Sequence, residues 1–127
     1  MKKLASMYEA FPAVVRAQRD LGRARRLRTK GQTPEAFQLA LTAFGVLHRE
    51  ALVENPPAAA VLATSAVFLD ELAQDIGQPS AAHAELVTAL RLCEELVQHS
   101  PKLEGTLRPY IDWYRHRVAK QVPPRLQ

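Results

Sequence analysis

The residues able to do chemistry are few and scattered along the chain. The histidines are His48, His83, His99 and His116, and no two stand three or four residues apart, as a helical metal site would need. There is no HExxH, no GxSxG elbow, no P-loop and no GxGxxG. The one cysteine, Cys93, follows Ala89 and Leu90 at helical spacing, which predicts a buried thiol acting as a small hydrophobe. A nucleophilic cysteine needs a positive setting, whereas Glu94 and Glu95 beside it would raise its pKa. Asp70, Glu71 and Asp75 cluster closely enough to work as an acid/base pair; surface charge or partner contact is the plainer expectation. The sequence therefore predicts no enzyme, no metal and no cofactor.

One charged stretch stands apart. "RAQRDLGRARRLRTK", residues 16 to 30, sets Arg16, Arg19, Arg23 and Arg26 three or four apart, and Arg28 and Lys30 extend the run. Such a patch could neutralise phosphates with strong salt dependence, although it holds no aromatic residue to stack on a single strand. The net charge of +4 conceals +7 over residues 1–31, −7 over residues 32–100 and +4 over residues 101–127. Basic ends thus flank an acidic middle that would repel a polyanion. The same asymmetry suggests self-association, with the basic helix of one copy against the acidic middle of another.

The elements that must position these groups are helical. The chain of 127 residues has 47% apolar residues, mostly alanine and leucine, and lacks β-branched runs bounded by turns. One domain over residues 1–122 with a loose tail at 123–127 is expected. No stretch approaches the roughly 18–20 apolar residues of a membrane span. The start has no apolar core of a secretion signal, and one cysteine asks for no oxidising compartment, so a cytoplasmic location is expected.

Breaks at Gly31, Asn55-Pro56-Pro57, Gly77-Gln78-Pro79 and Ser100-Pro101 predict five antiparallel helices, over 1–31, 33–55, 57–76, 80–99 and about 102–121. Ser6 and Glu9 suit a capping box for the first, and Pro12 could bend or restart it. Thr33 suits an N-cap for the second, with Pro34 and Glu35 behind it. The fourth carries a stripe of Ala82, Leu86, Leu90, Cys93 and Val97. The second and third are apolar on more than one face, through Leu39, Val46, Leu52 and Val53 in one and Val61 and Phe68 in the other, so they should be the most buried. Gly45, inside the second helix, suggests a close helix contact.

The chain also repeats. "GQTPEAFQLALTAF" at 31–44 returns 46 residues later as "GQPSAAHAELVTAL" at 77–90. Gly31 matches Gly77, Ala36 matches Ala82, Ala40 matches Leu86, Ala43 matches Ala89 and Phe44 matches Leu90. In Leu27, Gly31, Ala36 and Ala43, and again in Leu69, Ala73, Gly77, Ala82, Ala89 and Leu90, the chain resembles the tetratricopeptide-repeat family over about residues 18–100. It departs from the family in its period of 46 against roughly 34. The aromatic positions hold Asp20, Leu27, Ala66 and Ala73, and the leucine-glycine pair appears as Arg23-Ala24 and Leu69-Asp70.

The resemblance implies a right-handed stack of helical hairpins, for which a five-helix bundle is the alternative all-α arrangement. It also implies a non-catalytic adaptor that grips a partner peptide or helix along the first helix of each unit. Position by position, that puts Gln18, Leu21, Arg25 and Arg28 in a groove with Thr64, Val67, Glu71, Gln74 and Asp75. The lysine-asparagine clamp some members use is absent, since its positions hold Leu21 and Arg25. With two units the groove is short, so affinity would draw on assembly. The alternative function is nucleic-acid binding through Arg16, Arg19, Arg23, Arg26 and Lys30.

Overall fold

The computed structural model describes residues 12–51 and 56–121. The Ser6–Glu9 capping box, Leu52, Val53 and the tail at 123–127 lie outside the described residues. The fold is all-α: α1 (Pro12–Thr29), α2 (Thr33–Ala51), α3 (Pro56–Asp75), α4 (His83–His99) and α5 (Glu104–Gln121), with a 3₁₀ turn at Pro101–Leu103 before α5. No strand occurs among the described residues.

Each glycine break works by the same backbone chemistry. Gly31 and Gly77 take φ values of 80° and 76°, the left-handed region that costs other residues a Cβ clash. After α1, the Gln32 amide donates to the Leu27 carbonyl at 2.9 Å and the Gly31 amide to the Arg28 carbonyl at 3.0 Å. After α3, Gln78 donates to Ala73 at 2.9 Å and Gly77 to Gln74 at 3.0 Å. Both are Schellman closures, which satisfy the last carbonyls and reverse the chain. The two turns then differ. α2 begins at once, the Ala36 amide donating to the Gln32 carbonyl, so Thr33 is its first helical residue and the cap position falls on Gln32. The second turn runs on through Pro79–Ala82, where Ala81 donates to Gln78 and His83 to Ser80 before α4 starts.

The core forms where the apolar stripes meet. α1 contributes Val14, Ala17, Leu21 and Ala24, all buried and three or four residues apart. α2 adds Ala36, Phe37, Ala40, Ala43, Phe44 and Leu47. Ala36, Ala43, Ala82 and Ala89, the paired small residues of the two similar segments, all have no exposed surface. α3 is the centre: it packs against α1, α2, α4 and α5, which is why both of its faces are apolar. Phe68 on its second face is buried, and Val61 packs at the core edge. In α4 the buried stripe is Leu86, Ala89, Leu92 and Cys93, whereas the expected Leu90 and Val97 are half-buried at its margin. α5 closes the core with Leu107, Ile111 and Tyr114, and the Tyr114 hydroxyl donates to the Ala63 carbonyl of α3.

Gly45 does not serve a close helix contact. A methyl group built there would meet nothing within 4 Å outside its own helix.

Candidate functional site

α1, α3 and α5 share one face, and a shallow groove of about 290 Å³ opens on it. Its lining is Arg25 from α1, Thr64, Val67, Phe68 and Glu71 from α3, and Tyr110 from α5. The Arg25 guanidinium lies over the Phe68 ring, 5.0 Å from its centroid, a cation–π contact that orients the side chain along the groove wall. Val67 is half-buried and Glu71 exposed, so the groove offers apolar floor and charged rim together.

One end of the groove is held by a charge cluster. The Arg28 guanidinium donates from Nε to Asp75 at 2.7 Å and from Nη1 to Glu71 at 2.9 Å, tying α1 to α3. Those hydrogen bonds, Asp75's the stronger, raise the Arg28 pKa above its ordinary value. Asp70, one residue before Glu71, is a different case: it is 1% exposed. Its carboxylate accepts from Arg117 Nε of α5 at 3.1 and 3.0 Å and from the Gln74 amide at 2.9 Å. The three clustered acids thus all face arginines, which makes them a structural lattice between α1, α3 and α5.

The residues expected from the sequence fall into three sets. Arg25, Thr64, Val67 and Glu71 come together on the groove. Arg28, Gln74 and Asp75 sit beside it and are engaged within the chain. Leu21 is a correction: it is 3% exposed and belongs to the core, because it lies on the same stripe as Val14, Ala17 and Ala24. Gln18 is exposed and lines no described groove. Sequence reasoning missed Phe68 and Tyr110 as groove residues, having read Phe68 only as a packing position. The signal was there for Phe68, an aromatic off the main stripe of α3.

Arg16, Arg19, Arg23 and Arg26 are all exposed on α1, and Lys30 is exposed in the turn that follows it. Among the described residues only Arg23 has an acidic neighbour, Asp20 at 4.0 Å. Cys93 is 1% exposed; burial first, and Glu94 second, push its thiol up to about 11, so it is an inert core group. Among the described residues no three His, Cys, Asp or Glu side chains gather as a metal site, and no helix is long and apolar enough to cross a membrane. Comparison of the chain with protein-family models, with curated proteins and with solved structures found no match.

Proposed function

We propose that this chain is a non-catalytic interaction module that receives a peptide or helix of a protein partner in the groove between α1, α3 and α5. The observation that carries the reading is the groove's mixed lining. Val67, Phe68 and Tyr110 give apolar contact, and Arg25 and Glu71 stand on its rim with opposite charge. An amphipathic helix or a segment with both an apolar and a charged side chain suits that surface. The Arg28 bridge to Glu71 and Asp75 supports it further, because a groove fixed before binding loses less entropy on association.

A tetratricopeptide-like arrangement is part of the proposal. The matching Schellman closures at Gly31 and Gly77 support it, as do the four buried alanines and the contacts of α3 with both α1 and α5. In such a stack α1, α3 and α5 would line the inner face.

The test is an affinity capture from the native host, repeated with Arg25→Glu and Glu71→Arg separately. Both positions are exposed, so the fold should survive, as far-UV circular dichroism would verify. Each reversal should remove a common set of captured proteins. An unchanged set with both variants would rule the groove out.

A further inference from the structure

We propose that the outward face of α1 is a second binding surface, one that holds double-stranded nucleic acid through its phosphates. It goes beyond the groove, which lies on another side of the same helix. At about 100° per residue, Arg16, Arg19, Arg23 and Arg26 fall within an arc of about 80°, opposite the stripe of Val14, Ala17, Leu21 and Ala24, and Lys30 follows in the turn after α1. The four arginines span about 15 Å along the helix at 1.5 Å per residue, the rise of about four base pairs.

Charge placement singles out this strip from the other basic residues. Arg28 is spent on Glu71 and Asp75, Arg117 on Asp70, Arg115 on Glu94 and Arg108 on Glu104. Four of the nine acids of the middle of the chain, Asp70, Glu71, Asp75 and Glu94, are therefore matched by arginines from the two ends within the fold. That leaves fewer acids for the α1 of a second copy, and it leaves the α1 strip as the concentrated uncompensated charge among the described residues. Arg16, Arg19 and Arg23 also rim a depression of about 320 Å³ floored by Ala13, Ala17 and Val46, with Asp20 on the same rim. Guanidinium groups around an apolar floor can approach a phosphate from several sides at once.

The kind of nucleic acid follows from what the strip lacks. It carries no aromatic residue, so single-strand stacking is not on offer. Backbone contact to a duplex, independent of sequence, is what five cations in line can provide.

Fluorescence anisotropy with a labelled 20-base-pair duplex of random sequence tests this. If all five cations engage phosphates, log affinity falls against log salt with a slope of about −4.5, a loss of about 500-fold between 50 and 200 mM. Arg19→Gln, Arg23→Gln and Arg26→Gln together should flatten the slope to about −1.8, a loss of about 12-fold over that range. Asp20→Asn should tighten binding. The double variant Arg25→Glu/Glu71→Arg, altered only in the groove and unchanged in net charge, should bind the duplex as the parent does, so failure of the groove reading would not touch this one. A slope unchanged by the triple replacement, or no duplex binding at 50 mM salt, overturns the proposal. Equal displacement of the duplex by polyglutamate at matched charge also overturns it, in favour of an acidic protein.

Discussion

Removing Arg117 should destabilise the protein more than any other surface-adjacent change to its charge lattice. Asp70 is 1% exposed, and its carboxylate holds Arg117 Nε at 3.0–3.1 Å and the Gln74 amide at 2.9 Å. Arg117→Ala strips the cation and leaves the Asp70 carboxylate buried on α3 without its arginine partner. Breaking a buried pair from one side costs about 3–5 kcal/mol, out of about 5–15 kcal/mol for a whole domain. At about 4 °C per kcal/mol, the melting temperature should fall by about 12–20 °C. Asp70→Ala should cost less, about 2–3 kcal/mol, because the Arg117 side chain keeps 23% of its surface exposed and can turn to water. The double variant should therefore be more stable than the sum of the single losses by about 2 kcal/mol or more. Urea denaturation followed by circular dichroism and by Trp113, the only tryptophan, supplies all three values. A loss under about 1 kcal/mol for Arg117→Ala, with coupling under about 0.5 kcal/mol, would refute the reasoning.

Three further outcomes are expected. Gly45→Ala should stabilise the protein by about 1 kcal/mol, since the added methyl meets open space and alanine is the better helix former; a loss of stability in the same denaturation would show that Gly45 has a role in packing. Tyr114→Phe should cost about 1–2 kcal/mol through loss of the hydroxyl's bond to the Ala63 carbonyl, while leaving the helical circular dichroism unchanged. Cys93 should make the protein alkali-sensitive. Its folded pKa of about 11 lies above the reference of 9.0, so the folded state holds the proton longer. Stability is then full below about pH 9 and declines by about 2–3 kcal/mol as pH rises through 11, and Cys93→Ala should show a shallower decline over that window.

What could be read from the sequence was whatever depends on neighbours along the chain. Gly31 and Gly77 announce their turns because only a residue without a Cβ sits easily at positive φ, and the stripe of α1 is plain because its other positions are charged. The α4 stripe was misplaced because Ala89, Leu90, Leu92, Cys93, Leu96 and Val97 fit two adjacent faces equally well, and packing against α5 decides between them. Asp70 could not be recognised as buried, since its partner lies 47 residues away and sequence spacing carries no trace of it. Leu21 was placed in the groove by the family's pattern, although its own periodicity with Val14 and Ala24 put it in the core. The groove was half legible: Arg25, Thr64, Val67 and Glu71 followed from the resemblance, Phe68 showed only as a packing residue, and Tyr110 needed α5 to be docked before it could count.

The groove itself is open to one direct measurement. A photo-crosslinking residue placed at Thr64, on the groove, should trap a protein partner in the native host. The same residue at Gln38, exposed on α2, should not, and Glu71→Arg should abolish the Thr64 adduct. Equal adducts at Thr64 and Gln38, or a Thr64 adduct indifferent to Glu71→Arg, would contradict a binding groove between α1, α3 and α5.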